Sequence, residues 1–360
     1  GVLFPHLHLD TAVGRDSADQ RVRAVGHHDP HRNGWTWQNL EFGLSGRFNE
    51  TWEAFGTYAA TVSAEGKWQG VYEEWFVKAQ GLELGWLGEF ELRGGRFYNR
   101  FGIQNTYHPH GFDWVDQYLV NARMLGEDSM TTIGADITWR MPVPWLSQWD
   151  VALGVAPEPE AHDHAHEEGE SEFDPEGAIF DSGVTMVNWT NVYHYTDFQQ
   201  FRAGLSGAWG DNASGRSTQV YGAHFEYQWR ENGLEAGGRY FRWRNEAMWR
   251  RWGAKGEAHA HEHGERLARA TLSDFGFYSS ALYGFSPQVE AGLRVECVTG
   301  SAEAGLDERF RLSPGVTYYL NAARSAKLRL QYNLSDSDSS GVSHGAWAQV
   351  SLTWGGPEVR

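Results

Sequence analysis

Residues 108–116 read His-Pro-His-Gly-Phe-Asp-Trp-Val-Asp, placing two imidazoles and two carboxylates in one short stretch. Neutral imidazole with carboxylate suits borderline divalent metals such as Zn. His108 and His110 are therefore candidate ligands, with Pro109 stiffening the link between them. Asp113 and Asp116 could complete the site or orient the rings as hydrogen-bond acceptors. A second reading stays open: the stretch is a loop folded against a wall, held by Phe112 and Trp114, with its polar residues bonded to that wall.

Two other tracts carry the same ligand types. His162, His164 and His166 sit in Ala-His-Asp-His-Ala-His-Glu-Glu, and His259, His261 and His263 in Ala-His-Ala-His-Glu-His. Alternating His-x-His does not preorganise a tetrahedral site, so weak, exchangeable binding of Zn or another divalent metal is the expectation. The competing reading is a solvated polar loop. No cofactor is expected to be required. Nor does an enzyme motif appear: there is no nucleophile elbow, phosphate-binding loop or His-Glu-x-x-His, and no residue is singled out as catalytic. A formal net charge of −17 without a basic patch argues against nucleic acid as a partner.

The elements that must position these residues are strands. Trp 18, Tyr 15 and Phe 19 are too many aromatics for a disordered acidic chain. No window approaches about eighteen uninterrupted apolar residues, so no transmembrane helix is expected. The single Cys297 excludes internal disulfides. Lacking a basic, apolar-cored leader, the sequence is expected to start after a removed signal peptide.

Period-two alternation recurs along the chain. In Lys327–Leu334, Leu328, Leu330, Tyr332 and Leu334 oppose Lys327, Arg329, Gln331 and Asn333. Trp35–Phe48, Gln288–Val298 and Ala346–Trp354 alternate in the same way. Such runs of about ten residues are the signature of transmembrane β-strands. Other expected strands include Leu3–Arg15, Phe90–Asn99, Thr131–Met141, Ser217–Arg230, Leu234–Arg244 and Ala270–Tyr283. About sixteen emerge in all. The links after even-numbered strands are tight turns and those after odd-numbered strands include every long segment, as in an antiparallel barrel with short periplasmic turns and long outer loops.

The expectation is one transmembrane antiparallel β-barrel spanning 1–360, with long His-rich outer loops. The loop at 100–130 is too aromatic to stand in water, and Phe101, Tyr107, Phe112, Trp114 and Tyr118 predict that it folds into the lumen. Arg47, Arg93, Arg294, Arg311 and Arg329 are expected to line the pore, with Arg202 and Lys327. Glu41, Glu290 and Glu296 alternate among them, giving a lumen of mixed sign.

Several motifs carry a resemblance. They are Phe4-Pro5-His6-Leu7-His8-Leu9-Asp10, Glu73-Glu74, Gly95-Arg96-Phe97, Phe101-Gly102, His108-x-His110, Phe112 through Gln117, and Leu125-Gly126-Glu127. Over roughly residues 3–155 the chain resembles a family of bacterial outer-membrane β-barrel proteins labelled zinc-regulated or TonB-dependent-receptor-like. The resemblance implies an outer-membrane barrel with a role in metal passage. The chain departs from the receptor label in leaving no room for an N-terminal plug domain and showing no TonB box. A porin-like channel for small hydrophilic solutes, including divalent metal, is therefore expected in the bacterial outer membrane, in contact with its lipid and possible as a homotrimer. The alternative is a structural or partner-binding barrel that does not conduct.

Overall fold

The structure, a computed structural model, describes residues 1–18, 26–63, 66–157, 173, 178–235, 237–255 and 269–356. Among the described residues seventeen strands follow one another: β1 (Val2–Asp16), β2 (Gly34–Arg47), β3 (Trp52–Val62), β4 (Trp68–Val71), β5 (Trp75–Glu83) and β6 (Glu89–Tyr98) precede the long loop. After it come β7 (Thr131–Arg140), β8 (Leu146–Val155), β9 (Phe180–Thr196), β10 (Gln199–Asn212), β11 (Ser217–Arg230) and β12 (Tyr240–Lys255). The last five are β13 (Arg269–Gly284), β14 (Val289–Val298), β15 (Arg309–Tyr319), β16 (Ala326–Ser337) and β17 (Ser343–Gly355).

Apart from β4 and β5, each strand pairs antiparallel with its sequence neighbours, and β1 closes the ring by pairing with both β2 and β17. Leu9 lies opposite Leu40 on one side and Leu352 on the other. Strands β4 and β5 both pair with β3 and form one stave, interrupted at residues 72–74. The result is a closed barrel of sixteen staves with no free edge, so every backbone ladder is satisfied within the wall. No helix among the described residues is long and apolar enough to cross a membrane.

The alternation read from the sequence is the inside–outside code of the wall. On β16, Leu328, Leu330 and Tyr332 are exposed on the outer surface, whereas Arg329, Gln331 and Asn333 are buried. On β2, Phe42 and Leu44 point out while Asn39, Glu41 and Ser45 are buried. Links 48–51, 84–88, 141–145 and 197–198 leave one end of the barrel; 99–130 and 213–216 leave the other.

One strand lies elsewhere than its sequence suggests. The expectation at Leu234–Arg244 gives way to β12 at Tyr240–Lys255, which takes in residues expected to begin a loop. Two causes combine. Gly233, Gly237 and Gly238 adopt positive φ (60°, 84° and 76°), which turns the chain instead of extending it. The buried face of β12 also carries Arg244, Glu246 and Arg250 opposite exposed Trp243 and Trp249, so its charged side faces in and masks the usual pattern.

Candidate functional site

The loop from 99 to 130 is closed at its base by asparagines. Asn105 donates to the carbonyls of Asn99 and Met130 and accepts from the Met130 amide at 2.7 Å, while Asn99 donates to Thr132 Oγ1. Two short 3₁₀ turns, Gln104–Thr106 and Pro109–Gly111, and a helix, α1 (Leu119–Leu125), shape the rest. Between its ends the loop bonds to staves on many sides of the barrel. Gly102 N–H donates to Ser206 Oγ on β10, and the Ile103 and Gln104 amides donate to the two oxygens of Glu246 on β12. Val115 N–H donates to Gln331 on β16, and Gln38 on β2 donates to the Val115 carbonyl.

Apolar burial holds the chord in place. Phe101, Trp114, Tyr118, Leu119 and Val120 are buried together with wall residues such as Met248 and Tyr278. Each such side chain contributes roughly 1.5–3 kcal/mol. Tyr118 stacks on Tyr278 with ring centroids 3.6 Å apart. The wall makes room with glycine: a Cβ at Gly276 would lie 2.5 Å from Val120, and one at Gly222 would lie 2.7 Å from the Phe101 ring.

The four polar residues of the 108–116 stretch separate. His108 and His110 turn toward the first staves. His108 is fully buried; its Nδ1 lies 2.9 Å from Glu73 Oε2 and 3.2 Å from Glu41 Oε1, and its Nε2 lies 2.9 Å from Glu74 Oε2. His110 Nδ1 is 3.2 Å from the other oxygen of Glu41 and its ring stacks on His8 of β1 at 3.6 Å. Glu74 accepts from the Tyr98 amide and Glu73 from the Tyr98 hydroxyl. His28, from the first long loop, reaches Glu73 at 3.0 Å. Burial works against charging His28, but its hydrogen bond to Glu73 and that carboxylate's charge raise its pKa to about 9.

Asp113 and Asp116 turn the other way and do not join the histidines. Asp113 pairs with Arg242 and Arg244 of β12. Asp116 accepts from Arg294 at 2.6 Å, Arg311 at 3.0 Å, Gln331 at 2.6 Å and Asn333 at 2.9 Å. Burial alone would push both carboxyls up; the guanidiniums of Arg242 and Arg244, and of Arg294 and Arg311, hold them below the ordinary aspartate range. Glu41, Glu73 and Glu74 take the place that the aspartates were expected to fill. Alternation had already turned Glu41 inward, but nothing local in the sequence pairs Glu73 and Glu74 with a loop more than thirty residues away.

The arginines expected along the pore have varied duties. Arg294 and Arg311 clamp Asp116, while Arg329 donates to the carbonyls of Phe112 and Trp114, both at 2.8 Å. Arg93 pairs with Asp136 and lies over Phe97. Arg47 sits at the turn end of β2, with its side chain 54 % exposed and 2.7 Å from Glu53. Beside the loop, a cavity of about 430 Å³ is lined by Glu74, Arg93, Arg100, Asp150 and Arg202 among others. The tracts holding His162, His164, His166, His259, His261 and His263 lie outside the described residues.

No family model matches the sequence. A stretch of 143 residues is 26 % identical to an uncharacterized protein of Aquifex aeolicus (strain VF5), covering 37 % of this chain and 29 % of that one, so it spans under a third of the relative. The likeness to solved structures extends over nearly the whole chain. The outer-membrane channel DcaP of Acinetobacter baumannii superposes with a TM-score of 0.58 at 8 % identity, covering 98 % of this chain and 96 % of that one. An anion-selective porin from Comamonas acidovorans gives 0.56 at 9 % identity, with 98 % and 99 % covered. The trimer form of OmpT from Vibrio cholerae gives 0.52 at 9 % identity, again with 98 % and 99 % covered.

The fold is that of the outer-membrane porins. At these identities the likeness carries the fold and not the solute.

Proposed function

We propose that this porin-like barrel resides in the bacterial outer membrane and passes small hydrophilic solutes, with the 99–130 loop setting the width of the path. The observation that carries the reading is the loop itself, a fixed chord inside a closed barrel with a polar cavity of about 430 Å³ beside it. Arg93, Arg100 and Arg202 face Glu74 and Asp150 around that space. A lumen of mixed sign orients dipolar solutes and slows apolar ones. A homotrimer is part of the proposal, on the analogy of the trimer form of Vibrio cholerae OmpT. The finer reading makes a divalent metal such as Zn one of the solutes, gathered by His162, His164, His166, His259, His261 and His263.

A second reading draws on the same loop. Because it bonds to staves from β2 to β16, it could close the barrel altogether, leaving a non-conducting structural or partner-binding protein. Planar-bilayer recordings of the refolded full chain separate the two. Unitary current steps that grow when residues 104–118 are deleted support the channel. A silent full-length protein beside a conducting deletion supports the closed barrel, and zinc-dependent current that vanishes without the two His tracts supports metal passage.

A further inference from the structure

Around the tip of the loop, a side chain of β2 and two of the loop itself converge. Glu41 Oε1 lies 3.2 Å from His108 Nδ1, and Glu41 Oε2 lies 3.2 Å from His110 Nδ1. One ligand atom from each of Glu41, His108 and His110 can be chosen so that all lie within 4.8 Å of one another. All three side chains are buried or nearly so. Tetrahedral zinc with bonds of about 2.0–2.2 Å places its ligand atoms roughly 3.4 Å apart, close to the spacing of each imidazole from its own oxygen of Glu41.

The surroundings also match what such a site needs. His108 presents Nδ1 to Glu41 and Nε2 to Glu74, 2.9 Å away. A ligating imidazole is commonly oriented by a carboxylate on its far nitrogen, and here Glu74 is itself fixed by the Tyr98 amide at 2.8 Å. Glu73 brings a further carboxylate to 2.9 Å from the same Nδ1. Three buried carboxylates about one imidazole concentrate negative charge where a cation is strongly favoured. His8, stacked on His110, fixes the plane of that ring and belongs to a second grouping, His6, His8 and Glu41, that shares the same carboxylate.

We propose that Glu41, His108 and His110 bind one borderline divalent cation, of the zinc, cobalt(II) and nickel class, that fastens the tip of the 99–130 loop to the barrel wall. The ion joins β2 to a loop that otherwise meets this side through hydrogen bonds and ion pairs, and it leaves a fourth position for water or for Glu73. It is a resident of the loop, distinct from metal gathered at the outer tracts, and its binding does not depend on whether the barrel conducts.

Cobalt(II) alone is the probe, because its visible absorption reports coordination directly. The full chain is refolded in detergent with His162, His164, His166, His259, His261 and His263 all replaced by serine, which removes the tract sites. The expected result is one equivalent of bound Co²⁺ with intense visible bands, competed away by Zn²⁺, and a metal-dependent rise in unfolding temperature. Adding His110→Asn should weaken cobalt binding at least tenfold and abolish the rise, while heat-modifiable gel mobility shows the barrel intact. Glu41→Gln provides an independent removal should His110→Asn disturb folding. Failure of the tract-free protein to retain cobalt overturns the site, and equal retention in the parent and both variants overturns the ligand assignment. Conductance measured in chelator decides the channel separately.

Discussion

The two halves of the 108–116 stretch meet walls of opposite character. His108 and His110 enter a nest of carboxylates from the first four staves, Glu41, Glu73 and Glu74. Asp113 and Asp116, a few residues on, enter a set of guanidiniums from β12, β14 and β15. Each half finds the charge that complements it, so the loop is stretched between an acidic wall and a basic one. The difference teaches that the loop is held by sorting of charge as much as by its buried rings. It also shows that the basic end is closed upon itself, its arginines committed to Asp113 and Asp116 and to Glu226 and Glu296 of the wall, whereas the histidine end has carboxylates in excess.

The largest expected effect comes from breaking the basic end. Asp116→Leu strips the hydrogen-bonded carboxylate from buried Arg294 and Arg311, leaving them to share Glu296 at 3.2 and 3.7 Å, a loss of about 3 kcal/mol. Unfolding in denaturant, followed by heat-modifiable mobility, should show that loss, and single-channel recordings should show a noisier path as the loop loosens. At the histidine end, His108→Gln keeps some hydrogen-bonding capacity and should cost less, about 1–3 kcal/mol in the same assay. Should His108→Gln prove the more damaging, the basic end is not the stronger anchor.

Packing beneath the loop offers a test that leaves charge alone. Gly276→Val puts branched carbon where Val120 already lies 2.5 Å from a would-be Cβ, and should destabilise by about 1–3 kcal/mol. An unchanged midpoint would mean that the loop does not press on β13.

Acidity separates the two ends without mutation. The carboxyls of Asp113 and Asp116 are depressed, so their contribution is complete above the unfolded aspartate pKa of about 3.9 and is lost only as pH falls further, through the folded values. His28 is the reverse. Its folded pKa of about 9 lies above 6.5, so its bond to Glu73 contributes fully below pH 6.5 and fades as pH rises through about 9. Stability measured from pH 6 to 10 should therefore decline in the native chain and flatten in His28→Gln; identical slopes would remove His28 from the account.

The smallest effect is expected at the rim. Arg47 is more exposed than buried beside Glu53, which Lys78 also approaches at 3.2 Å, so Arg47→Ala should change stability by under about 1 kcal/mol and leave conductance unaltered.

Much of this architecture was legible in the residues alone. A period of two, as in Leu328, Leu330 and Tyr332 against Arg329, Gln331 and Asn333, reports which face of a strand meets which solvent, because successive strand side chains point in opposite directions. Alternately short and long links set the chain up and down, and the aromatic content of 100–130 required burial that a loop in water cannot find. Local order alone determined those features. The partners of His108, His110, Asp113 and Asp116 were not legible, because a loop has no fixed period to aim its side chains and four neighbours in sequence need not share a direction. Only closure of the barrel brought Glu41, Glu73 and Glu74 to one side of the loop and Arg242, Arg244, Arg294 and Arg311 to the other. Opposite charges on facing walls then pulled the imidazoles and the carboxylates apart, a choice that depends on the summed field of distant staves and is written in no single stretch of chain.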